Sequence, residues 1–159
     1  MTVYGIDPGL KGGVAWIHGG SGTAREMPLK GGVLDIREVT SWLQDPEHSV
    51  VYIERQQSMP QQGVASTFTI GVNYGMLLGA LTALSVPYVE VRPRAWKDKI
   101  LAGTTKDKDA AILHVQNRWP GVDMCPGRKR KPHDGIADAV CIAEFGWKAE
   151  TGGKESIGL

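Results

Sequence analysis

The stretch TVYGIDPGLKGGVAWIHGGSGTAREM, residues 2–27, decides the fold. Residues 2–7 read as a short strand ending on Asp7, and Pro8-Gly9 then turns the chain. Residues 13–18 read as a second strand, Gly19-Gly20-Ser21-Gly22 as a hairpin loop and 23–27 as a third strand. Three strands joined by short turns predict an antiparallel meander.

Outward from there, apolar residues at Val33, Leu34, Ile36, Val39, Trp42 and Leu43 predict a helix over 33–44, ended by Asp45-Pro46. SVVYIE at 49–54 is a compact strand rich in β-branched residues. A long helix is expected over 64–84, a fifth strand over 87–91, and helices over 93–101, 106–119 and 135–149. Residues 121–132 read as a loop. The domain is thus 1–149, with a flexible tail at 150–159. Strands reached across helices extend the meander into a mixed five-stranded sheet flanked by helices, an α/β fold.

Composition bounds the function. The chain has 159 residues, 42% of them hydrophobic and 22% charged, ordinary globular usage for one domain. Two cysteines, Cys125 and Cys141, cannot build a disulfide framework, and no CxxC or HxxxH spacing marks a zinc site. No signal-type segment opens the sequence, so a cytoplasmic protein is expected. No charge occurs between Arg55 and Glu90, but Ser66, Thr67, Thr69, Asn73, Tyr74 and Thr82 interrupt that stretch. A buried helix is therefore expected there, not a membrane span. Gly71, Gly75 and Gly79 leave one side of it nearly bare; a dimer contact and packing on the protein's own sheet both fit.

The formal charge of +1 hides a division. Residues 92–132 hold eleven basic and four acidic residues, +7, and the remainder is −6. Such a split suits a polyanion-binding face beside an acidic remainder, and equally a solvated surface.

Four acids stand where chemistry can form. Asp7 ends the first strand and, taken alone, reads as a turn residue. Glu54 ends SVVYIE in the same way. If those strands are parallel neighbours, their carboxylates repel unless a cation lies between them. Asp134 and Asp138 are one helical turn apart in HDGIADAV. Asp134 has a second reading as an N-terminal cap. Asp138 has none, because it stands among Ile136, Ala137, Ala139 and Val140. An all-oxygen set suits Mg²⁺ or Mn²⁺, and two such ions can clamp an in-line phosphoryl displacement.

GIDPGLKGG at 5–13, YIERQQ at 52–57, VRPRAWK at 91–97, AGTTKDKDAA at 102–111 and HDGIADAVCIAE at 133–144 together resemble RuvC-type Holliday-junction resolvases over roughly residues 1–148. The Met-, Pro-, Gln- and Gly-rich segment after Glu54 is similar to the bacteriophage-encoded branch, which implies a bacterial host cytoplasm. The resemblance implies an RNase H-like fold, a homodimer, no nucleotide cofactor, and Mg²⁺-dependent cutting of four-way or other branched DNA with two ions per site. It implies Asp7, Glu54, Asp134 and Asp138 as catalytic metal ligands, with His133 as an alternative or supporting ligand. Bacterial members of the family often carry a ligand three residues before the last aspartate; here that residue is Gly135, which has no side chain to offer. Lys97 and Lys108 match the family's lysines near the scissile phosphate. Lys106 and the run Arg128-Lys129-Arg130-Lys131 are further DNA-binding candidates. Where bacterial members place an aromatic wedge, this chain has Gln56, Gln57, Ser58 and Met59, with Phe68 beyond; Met59 is the wedge candidate. Three other readings remain: a junction-binding protein without catalysis, a nuclease acting on RNA, and an actin- or sugar-kinase-like ATPase. The last lacks a second phosphate-binding segment.

Overall fold

The computed structural model describes residues 1–43, 45–58, 63–127 and 129–152. Strands β1 (Thr2–Asp7), β2 (Gly13–His18) and β3 (Ser21–Glu26) form the expected meander. Gly19 and Gly20 both have positive φ, 56° and 84°, so the β2–β3 turn is a two-residue hairpin loop. The third strand consequently starts at Ser21, inside the expected loop.

The helix expected over 33–44 is the main departure. Leu29–Lys30 (β4) and Val33–Leu34 (β5) form a two-stranded hairpin, and helix α1 covers only Ile36–Trp42. The cause is local: Asp35 caps the helix by accepting from the Glu38 N–H at 3.2 Å, so no helical turn extends back through Val33 and Leu34. A 3₁₀ turn, Pro46–His48, leads into β6 (Ser49–Glu54). Helix α2 (Val64–Ala83), β7 (Tyr88–Val91), α3 (Pro93–Ile100), α4 (Lys108–Arg118) and α5 (Asp134–Glu150) follow.

The sheet order is β3-β2-β1-β6-β7, with β1–β6 and β6–β7 parallel. Strand periodicity sorts side chains between two cores. Val3, Ala15, Ile17 and Tyr52 pack with α3, α4 and α5. Tyr4, Ile6, Val14, Val51 and Ile53 pack on the other face with α1 and α2. Asp7 shares parity with Val3, and Glu54 with Tyr52, so the alternation directs both acids to the α5 face.

Helix α5 lies directly on the sheet's centre. A Cβ on Gly5 would stand 2.2 Å from Ala139 O and from Ala143 N. One on Gly135 would stand 2.1 Å from Lys11 O. Only hydrogen fits at either place, so helix and strand touch backbone to backbone.

Helix α2 corrects an expectation. It is long and apolar enough to cross a membrane by length and composition, but it is not a buried helix. Only Asn73, Leu77 and Leu81 are buried, while Phe68 is 72% exposed. Cβ atoms on Gly71, Gly75 and Gly79 would meet nothing within 4 Å, so the glycine stripe does not pack on the protein's own sheet. At residue 150, where the tail is expected to start, α5 still includes Glu150, and Thr151 caps it by donating its N–H to Trp147 O at 3.0 Å; residues 153–159 lie outside the described residues. Met59 and Arg128 lie outside the described residues.

Gly5→Ala is expected to destabilise the protein by about 3 kcal/mol or to prevent folding, through overpacking against the helix backbone. Urea unfolding measures it, and a loss below about 0.5 kcal/mol would show that α5 can shift away.

Candidate active site

Parallel pairing of Ile6 with Ile53 sets Asp7 beside Glu54 at the carboxyl ends of adjacent central strands. The Pro8-Gly9 turn folds back so that the Gly9 N–H donates to Asp7 Oδ1 at 3.2 Å. Opposite them, the start of α5 supplies the other pair. His133, not Asp134, is the cap: its Nδ1 accepts from the Ile136 N–H at 3.2 Å. Asp134 is therefore the first helical residue, and Asp138 follows one turn later on the same side.

The four acids feel one another. Burial, then the Glu54 charge, push Asp7 up to about 7 against the pull of the Gly9 N–H, with Asp138 and Asp134 adding to the rise. Asp138 is raised to about 6, first by burial; Lys97 opposes this, and Glu54 and Asp134 reinforce it. Asp134 moves the other way, held low by the hydrogen-bonded ion pair that it accepts from Lys108. Glu54 is oriented by the Trp96 indole, whose Nε1 donates to Oε2 at 2.7 Å, and more weakly by Gln56 at 3.5 Å.

This is a charge-rich cluster, not a ready-made cage. Among the described residues, no three His, Cys, Asp or Glu side chains already stand as a metal-binding group. The reason is visible in the partners: Asp134 is turned to Lys108 and Glu54 to Trp96. The donor chemistry nonetheless fits hard divalent cations, since all four groups offer oxygen and two of them are held in a field that disfavours their charge.

The cationic candidates separate. Lys97 acts on Asp138 and Lys108 on Asp134, so both stand at the acids. Lys106 has φ 58° and reaches back to Asp98 at 2.7 Å. Lys129 pairs with Glu26 of β3, which ties the basic loop to the sheet edge. Arg130 and Lys131 are exposed.

One charged group was not singled out by sequence reasoning. Glu144 is 1% exposed; its Oε2 lies 2.7 Å from His114 Nε2 and accepts from Trp119 Nε1 at 2.9 Å. Lys148 Nζ is 2.8 Å from Oε1, as an ion pair without a well-directed hydrogen bond. Burial raises this carboxyl, but His114, Lys148 and Trp119 outweigh it and hold it at about 2. The available signal was an acid amid Ile142, Ala143, Phe145 and Gly146. The network fastens α4 to α5. A cleft of about 630 Å³ along α4, lined by Thr104, Asp107, Leu113, His114 and Arg118 among others, includes none of the four site acids.

In metal-free protein, a carboxyl whose folded pKa is raised contributes stability below its unfolded value, near 3.8, and loses it as pH rises through the folded value. The Asp7 and Asp138 contributions therefore disappear between about pH 4 and 7. Asp7→Asn is expected to raise stability at pH 8 by about 1–3 kcal/mol and to flatten the fall between about pH 4 and 7. Calorimetry in EDTA measures both; parallel wild-type and variant profiles would remove Asp7 from the shared field.

No family model and no curated protein sequence matches the chain. Solved structures do. Thermus thermophilus RuvC in complex with a Holliday junction substrate aligns with TM-score 0.63 and 20% identity, covering 96% of this chain and 97% of that one. A second Thermus thermophilus RuvC structure gives 0.58 and 23%, with coverages of 96% and 97%. The yeast mitochondrial Holliday junction resolvase Ydc2 gives 0.59 and 14%, covering 96% of this chain and 80% of that one. The mixed five-stranded sheet with flanking helices is thus the RNase H-like fold that these resolvases share.

Proposed function

We propose that the protein is a Mg²⁺-dependent, structure-selective endodeoxyribonuclease that cleaves Holliday junctions or related branched DNA as a homodimer. The observation that carries this reading is the acid cluster itself: Asp7 and Asp138, from a strand end and a helix, share one unfavourable field with Glu54 and Asp134 beside Lys97 and Lys108. Acids and bases are interleaved as a phosphodiester and its counter-ions require. The likeness to solved junction resolvases over nearly the whole chain supports the substrate class.

Asp7, Glu54, Asp134 and Asp138 would hold the ions, with His133 as an alternative to Asp134. When bound, the divalent ions supply activation of the attacking water and stabilisation of the leaving oxygen. Trp96 fixes the Glu54 carboxylate through its 2.7 Å hydrogen bond. Lys108 neutralises Asp134 before loading and is free to turn to a substrate phosphate once that acid is otherwise engaged. Lys97 places a second ammonium at Asp138. Lys106, Arg128, Lys129, Arg130 and Lys131 are assigned to the flanking backbone. The bacteriophage branch and the bacterial host cytoplasm rest on the segment after Glu54.

For the homodimer, the support is the open side of α2. Phe68, Val72 and Met76 are 72%, 43% and 40% exposed beside the bare Gly71, Gly75 and Gly79. A second copy would cover this face.

A labelled four-way junction in Mg²⁺ tests the activity. Wild type is expected to cut it, and Asp7→Asn, Glu54→Gln and Asp138→Asn each to lose about a hundredfold or more in rate while still binding. Binding with no cut in Mg²⁺ or Mn²⁺ would favour the binding module, and preference for a matched RNA would move the substrate class.

Sedimentation tests the assembly separately. Wild type is expected at twice the 17.2 kDa chain mass and Gly75→Trp at the monomer mass. A variant that stays dimeric would place the contact elsewhere.

A further inference from the structure

At the carboxyl edge of β6 and β7, on the Glu54 side of the acids, stands a second cationic feature that the ion-binding scheme leaves unused. A groove of about 420 Å³ is lined by Glu54, Arg55, Gln56, Gln57, Arg92 and Arg94 among others. Backbone pairing builds it. Glu54 is in register with Val91, and the Arg55 N–H donates to Val91 O at 2.8 Å. Arg55 and Arg92, the next residue on each strand, therefore leave the sheet side by side. Pro93 begins α3 at once, which brings Arg94 into the same wall.

The charge there is poorly offset. Arg94 meets Asp98 at 3.3 Å, but its side chain is 92% exposed, so that pair is weak. Arg55 and Arg92 make no ion pair among the described residues. Glu90 keeps its charge but is turned to Tyr74, whose Oη donates to its Oε2 at 2.5 Å, and it makes no ion pair with Arg55 or Arg92 among the described residues. Glu54, the remaining acid of the wall, is held by Trp96. Three planar forks in one concave wall suit phosphate oxygens, which they can take in bidentate fashion. The same groove borders Glu54, so an anion seated in it adjoins the acid cluster. Lys97 and Lys108 act on Asp138 and Asp134, the two acids of α5.

We propose that Arg55, Arg92 and Arg94 form a phosphate seat for the DNA backbone next to the phosphate at the acids. The seat grips the strand continuing past Glu54 and takes no part in bond breaking. It rests on the nuclease reading and adds a binding element to it.

Binding of a labelled four-way junction in Ca²⁺, measured across a salt series, tests the seat. The Arg55→Ala/Arg92→Ala/Arg94→Ala variant is expected to bind at least about tenfold more weakly near 0.1 M salt, with the log–log salt slope reduced by about 2–3. Replacing the same three by Lys should largely restore the slope, since the charge returns without the fork. Lys30→Ala/Arg37→Ala removes exposed charge from the α1 side and should leave the slope unchanged. If wild type binds and the alanine variant keeps its full slope, the seat is overturned and the nuclease reading survives. An equal loss of slope in the Lys30/Arg37 variant would also overturn it, because net charge alone would then explain the effect. A wild-type chain that binds no DNA overturns both.

Discussion

The contact between α5 and β1 is the constraint on which the rest of the structure depends. With hydrogen alone at Gly5 and Gly135, the helix settles onto the strand backbone and onto the β1–β2 loop. That depth brings Asp138 into the field of Glu54 and within reach of Asp7. A methyl group at Gly5 would lift the helix and separate the acids that the strands and the helix contribute. Packing and site geometry are therefore one problem in this fold, solved by small residues at the sheet's centre.

The electrostatics follow from that depth. Acids brought together out of water repel, and the protein answers unevenly. Asp134 has Lys108, and Glu54 has the Trp96 indole, whereas Asp7 and Asp138 are left with raised proton affinity. Elsewhere the same chain surrounds a buried acid with compensating groups: Glu144, with His114, Trp119 and Lys148 around it, stays ionised far below neutrality. The contrast between the two clusters lies in their cations, with His114 and Lys148 both facing Glu144 and no such pair at the strand ends. Incomplete neutralisation is what a site for added cations needs.

Much of this was legible in the sequence because strands declare their faces. The alternation in TVYGID and SVVYIE put Asp7 and Glu54 at strand ends, and the apolar run around Asp138 marked it as an acid without an ordinary role. The β4–β5 hairpin was not legible: Val33 and Leu34 satisfy a helical period and a strand equally, and the cap at Asp35 decides between them. The exposure of α2 was hidden for a different reason. A chargeless run normally implies burial, and only the tertiary arrangement reveals that the glycine side faces outward. The arginine groove depends on β6–β7 register, which brings together residues nearly forty positions apart in the chain.

The central placement of α5 and β1 also governs how the molecule breathes. Segments open in proportion to how little they are packed, and these two elements are among the most deeply packed in the protein. The amides around Gly5 and Ala139 should therefore exchange with solvent deuterium only when the whole domain unfolds. Those of the exposed Gly31-Gly32 turn, where an added Cβ would meet nothing within 4 Å, open locally. The acids thus stand on a rigid floor, set by the two elements that open last.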